Sequence, residues 1–153
     1  MKHGAIAALA LLAVSGIVAA ADKPNFSGEW KMNSARSDFG TLPPPTSFVR
    51  KIAHADPSLT IVENQSAGGA ETTTTRALTT DGKISSLELN GVTAACAATW
   101  DGTALIATTT LDNVGLKFKD NMSLSSDGKV LTSKVQIATA QGDAEITIVF
   151  DRQ

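Results

Sequence analysis

Apolar and polar residues alternate with a period of two along most of this chain, and short turn signals interrupt the alternation at regular intervals. Asp81-Gly82, Asn90-Gly91, Asp101-Gly102 and Asp127-Gly128 favour the positive-φ conformations of tight hairpins. Asp56-Pro57, Gly68-Gly69, Asn113 to Gly115 and Gln141-Gly142-Asp143 mark further reversals. The intervening segments are rich in Thr, Val, Ile and Leu, which suit a pleated, half-buried surface. They predict ten strands, at residues 26–32, 48–55, 59–65, 71–79, 83–89, 92–100, 104–111, 116–125, 130–139 and 144–151. No helical period follows residue 21.

The connections narrow the fold. A Greek-key sandwich needs several long crossovers between its sheets. Here nearly every link is a short hairpin turn, so each strand lies beside its sequence neighbour. A ten-strand meander leaves two exposed edges unless 144–151 pairs with 26–32 and closes it. The expectation is therefore an all-β, single up-and-down antiparallel barrel of about ten strands. One connection is long, 33–47, and carries Arg36, Asp38, Phe39 and Pro43-Pro44-Pro45. Three prolines hold it extended and non-helical. It serves either as a flap over one barrel end, with Phe39 and Leu42 turned inward, or as a plain surface connection.

The first residues change the picture of where the fold begins. Lys2 and His3 precede an apolar run from Ala5 to Val18, broken only by Ser15 and Gly16, and Ala19-Ala20-Ala21 follows. That pattern is a signal peptide over residues 1–21, cleaved before Asp22, with a barrel domain at 22–153 and export to the periplasm or beyond. The apolar run is short and Ala-rich for a membrane span, and no second run follows. Losing Lys2 moves the net charge from −2 to −3, and no Lys/Arg cluster remains to form a nucleic-acid surface. The single cysteine, Cys96, lies among Ala95, Ala97 and Ala98 and reads as a small buried hydrophobe.

Strand alternation assigns faces. Phe26, Gly28, Trp30 and Met32 share one face, as do Phe48, Arg50, Ile52 and His54. Further inward sets are Thr72, Thr74, Arg76 and Leu78; Leu116, Phe118, Asp120, Met122 and Leu124; and Ile146, Ile148 and Phe150. Many other inward residues are small, Ala94, Cys96, Ala98, Ala107 and Thr109 among them. Such an interior either encloses a few hundred cubic ångströms for a small ligand or flattens until its larger residues meet. Arg50, His54, Arg76 and Asp120 carry polarity inward, and each must pair, meet water or sit at a mouth. Asp120, between Phe118 and Met122, is expected to be a buried carboxylate, with Arg76 as its candidate partner. The candidate ligand-binding set is Arg50, His54, Arg76, Phe118, Asp120 and Met122. Its alternative role is an internal structural ion pair.

The opening Phe26-Ser27-Gly28-Glu29-Trp30-Lys31-Met32 resembles the first strand of the calycins, the lipocalin and fatty-acid-binding-protein superfamily. It is most similar to the secreted bacterial proteins described only as lipocalin-like. The resemblance implies a ligand-holding barrel in which the Gly-x-Trp tryptophan packs near one end beneath an arginine from the far end of the chain. Carried over, Gly28 and Trp30 supply that motif, and Arg152 is the cation–π partner that clasps the two ends. Fatty-acid-binding proteins place a helix–turn–helix lid after the first strand, where this chain has Pro43-Pro44-Pro45. They typically hold the fatty-acid carboxylate with an inward arginine and a nearby tyrosine in a late strand. This chain has no tyrosine, so Arg50 or Arg76 would have to serve from other strands, and fatty-acid specificity does not carry over.

After cleavage His54 is the only histidine, which leaves no multi-histidine metal site; no metal and no cofactor are expected. No nucleophile-elbow motif and no glycine-rich phosphate loop occurs. The leading expectation is a protein that binds a hydrophobic or amphipathic small molecule without catalysis. The second is a protein-binding module, an inhibitor or envelope-assembly partner, that uses the loops and the 36–45 flap. An enzyme would need His54, Arg50 and Asp120 within hydrogen-bond reach in one cleft.

Overall fold

A computed structural model describes residues 22–153; the expected signal peptide, 1–21, lies outside the described residues. Ten strands follow one another: β1 Gly28–Met32, β2 Ser47–Ala55, β3 Ser58–Ala67, β4 Ala70–Thr79, β5 Ser85–Leu89, β6 Val92–Asp101, β7 Ala104–Leu111, β8 Leu116–Leu124, β9 Val130–Thr139 and β10 Gly142–Arg152. They are the ten that the alternation predicts, with ends moved by a few residues; β1, for example, begins at Gly28 rather than Phe26. At the β5–β6 turn Asn90 and Gly91 adopt φ of 51° and 79°, the left-handed pair that a two-residue hairpin requires.

All ten strands form one sheet in the order β4-β3-β2-β1-β10-β9-β8-β7-β6-β5. The last strand pairs antiparallel with the first, Trp30 opposite Arg152 and Met32 opposite Phe150, so the meander closes where its edges demanded. A seam remains between β4 and β5, the two ends of the sheet order. It is stitched to β6 rather than closed by a ladder: Asp81 bridges Thr99, and the Gly82 N–H donates to the Ala98 carbonyl at 2.8 Å. The result is a nearly closed barrel. No helix among the described residues is long and apolar enough to cross a membrane.

The long connection is pinned on both sides of one barrel mouth. After a short 3₁₀ turn at Ser34–Arg36, Asp38 and Thr147 exchange backbone hydrogen bonds of 2.7 and 2.8 Å. The Val149 N–H donates to Ser37 Oγ at 3.0 Å. On the other side the Thr46 N–H donates to the Ser66 carbonyl at 2.8 Å. Between these anchors residues 39–45 run along the mouth; Phe39 packs against the core, whereas Leu42 stays 38% exposed, so the inward turn expected of both is made by Phe39.

The opposite end of the barrel is filled. Phe26, Trp30, Leu59, Leu105, Met122 and Leu131 have no exposed surface. The Trp100 ring lies 6.0 Å from Phe26 and 5.6 Å from His54. Arg152 sits 4.2 Å over the Trp30 ring and donates to the carbonyls of Ser27 at 2.7 Å and Gly128 at 2.8 Å. Gly28 makes this clasp possible: with φ of +147°, a Cβ there would stand 2.6 Å from Arg152 Nη1.

Candidate functional site

The half of the barrel beneath the flap holds a cluster of charged side chains. Alternation turns Arg50 of β2, Glu63 of β3, Arg76 of β4 and Asp120 of β8 inward, and the β2–β3 register sets Arg50 directly opposite Glu63. Arg50 Nη2 lies 2.7 Å from Glu63 Oε1 and 3.0 Å from Asp120 Oδ2. Arg76 Nη2 reaches the same Glu63 Oε1 at 3.1 Å. Ser133 of β9 donates to Asp120 Oδ1 and accepts from Arg50 Nη1 at 3.4 Å. The Arg50 guanidinium also lies 5.0 Å from the Phe150 ring and 5.6 Å from that of Phe48.

These charges survive burial only because they answer one another. Burial opposes the Arg50 charge most strongly, but the fields of Asp120 and Glu63 and the hydrogen bonds to both outweigh it and raise its pKa. Burial likewise pushes the Glu63 carboxyl upward, yet Arg76 and then Arg50 overcome it and hold the group below the ordinary carboxylate range. Two cations and two carboxylates cancel. That is the condition under which a low-dielectric interior tolerates them.

Above this cluster lies a cavity of about 370 Å³. Arg50, Glu63, Arg76 and Asp120 form its polar floor, with Gln65 and Thr74 continuing the polar surface up one wall. Leu87, Leu89, Phe118, Ile137 and Ile146 make the walls apolar elsewhere. Phe39, Leu42, Pro43 and Pro45 of the flap line it on the side of the mouth. The two readings of the interior thus both apply, each to one half of the barrel.

Arg50, Arg76, Phe118 and Asp120 of the candidate set come together around this cavity; His54 and Met122 do not. His54 is near the far end of β2, where its Nδ1 accepts the Phe26 N–H at 3.2 Å and its Nε2 stands 3.7 Å from Asp56 Oδ1. It is a tie between the chain entry and the β2–β3 turn, and it shares no cleft with Arg50 and Asp120. Met122 is one alternation further along β8 than Asp120 and belongs to the filled half. Period-two reasoning assigns a face but not a depth along the barrel, and both residues fall to that gap. The expected Asp120–Arg76 pair is also corrected: Asp120 pairs with Arg50, and Arg76 pairs with Glu63. Two members of the cluster escaped the sequence reading. Leu59 and Ile61 share a face with Glu63, and Leu131 and Val135 share one with Ser133, so the same alternation carries the signal for both.

At the filled end the Thr80 hydroxyl, and after it the Trp100 indole N–H at 2.9 Å, hold the Asp56 carboxyl below the usual range. Among the described residues no group of three or more His, Cys, Asp or Glu is placed to hold a metal ion.

No protein-family model matches the sequence, and no curated protein matches it. Solved structures do match. A secretory abundant heat soluble protein of Ramazzottius varieornatus superposes with a TM-score of 0.62 at 13% identity, over 84% of this chain and 95% of that one. Zebrafish ileal bile acid-binding protein, solved with cholic acid, gives 0.58 at 17%, over 84% and 98%. Human cRBP IV gives 0.56 at 15%, over 85% and 99%. The fold is a calycin-type barrel. At such identities the likeness speaks for the fold alone, so what this calycin-type barrel does must be argued from its own cavity.

Proposed function

We propose that this protein is an exported carrier that holds a hydrophobic or amphipathic small molecule beneath the 39–45 flap without transforming it. The observation that carries the reading is the half-filled interior: an apolar-walled space of about 370 Å³ over a charge-balanced floor. That volume equals on the order of a dozen waters and falls in the range of small-molecule sites. Displacing water from such walls contributes ~25 cal/mol per Å² of apolar area buried. Support also comes from the similar barrels, which include a bile acid-binding protein solved with cholic acid and a fatty-acid-binding protein of Echinococcus granulosus. A binder is favoured over a catalyst because His54 stands away from the cavity and the cavity's ionic groups are spent on one another. Export rests on the 1–21 sequence pattern.

Native mass spectrometry of protein purified from its own host tests both parts, with a chain beginning at Asp22 and a copurified molecule as the expected result. After delipidation, the neutral dye Nile red should bind saturably at one site. A fluorescence titration with no saturable binding would remove the cavity from the argument.

A further inference from the structure

Resting on that reading, we infer that the cavity selects an electrically neutral, oxygen-bearing amphiphile, such as a long-chain alcohol, ester or ketone, over a free carboxylic acid of the same length. The inference comes from the charge inventory of the floor. The charged residues lining the cavity are two arginines, Arg50 and Arg76, and two carboxylates, Glu63 and Asp120. Arg50 is engaged on both terminal nitrogens, by Glu63 and Asp120 on one and Ser133 on the other. Arg76 is answered by Glu63. No cation is left over to neutralise a ligand's charge. A carboxylate entering this floor adds a third negative charge close to Glu63, in a site where an uncompensated ion carries a large desolvation cost.

The lining nevertheless offers a neutral oxygen its hydrogen-bond partners. Arg50 Nε and Arg76 Nε have no hydrogen-bond partner, but with less than 1 Å² of accessible surface each they do not face the cavity. A ligand oxygen therefore finds its donors among the polar groups that line the space, and a hydroxyl, ester or ketone does so without bringing charge. The other polar side chains lining the cavity, Gln65, Thr74 and Thr109, are neutral as well. A neutral head group on the floor, with its apolar remainder against Phe118, Ile137 and Ile146, suits both the polar and the apolar lining.

The test is a head-group series on one chain length, decanol, decanoate and decylammonium, each competing with Nile red on delipidated protein at pH 7.5. We expect decanol to bind about tenfold or more tightly than either charged analogue. In Glu63→Gln the floor gains a net positive charge, and decanoate should overtake decanol. Decanoate binding the native protein as tightly as decanol overturns the inference, as does an unchanged preference in a folded Glu63→Gln protein. Should that variant fail to fold, the ranking in the native protein decides alone. If Nile red and all three analogues fail to bind, the carrier reading itself falls and takes this inference with it.

Discussion

Glu63 holds two arginines on one carboxylate oxygen, which makes it the residue whose protonation the barrel feels most directly. Its folded-state pKa is depressed below the ordinary carboxylate value, burial being outweighed by Arg76 and Arg50. A group shifted in that direction contributes stability that is complete above its unfolded pKa, ~4.3, and is lost as the pH falls through the folded value. Glu63→Gln removes one partner from a buried ionic network and should cost roughly 3 kcal/mol at neutral pH. The stability gap between native and variant proteins should then narrow as the pH drops below ~4, read by urea unfolding at a series of pH values. A gap that stays constant into acid would show that Glu63 is not the group whose charge matters. Gly28 illustrates a different residue-scale constraint, since its lack of a side chain is what admits Arg152 to the Trp30 ring.

At the scale of elements the flap is the departure from a plain meander. It is tied to β10 through Ser37 and Asp38 and to β3 through Thr46, and prolines stiffen the span between. Proline restricts the unfolded chain and the native loop alike. Replacing Pro43-Pro44-Pro45 by Gly-Ser-Gly keeps every anchor but frees the span and deletes two residues, Pro43 and Pro45, that line the cavity. Dye dissociation should accelerate severalfold, measured by stopped-flow displacement, while strand content by circular dichroism stays unchanged. Unaltered dissociation would mean that ligand leaves by another route, the β4–β5 seam being the obvious one.

The whole molecule is a barrel with one weak line. From Gly142 opposite Thr139 to Asp151 opposite Val130, β9 and β10 share a long ladder. Between β4 and β5 there is none, and β5 pairs only with β6. Local opening follows the density of such contacts. Hydrogen exchange should therefore run fastest at the β4 and β5 edges that face the seam and slowest along β9–β10, and ligand should protect the β4 amides around Thr74 and Arg76. Uniform protection around the sheet would contradict this picture of the seam.

Strand number, strand order and the β1–β10 closure were legible from the chain because they follow from local rules. Turn dipeptides such as Asn90-Gly91 set the reversals, period-two alternation sets the faces, and exposed edges force a meander to close. The same rules turned Arg50, Arg76 and Asp120 inward. They could not rank those side chains by height along the barrel axis, so His54 and Met122 were grouped with residues that lie nearer the flap. Nor could they choose partners, since Arg50 meets Asp120 only when strands from opposite ends of the chain curve around to face each other. Which half is packed, which half is hollow and which charges cancel depend on distances across the closed sheet, and those exist only once the barrel has formed.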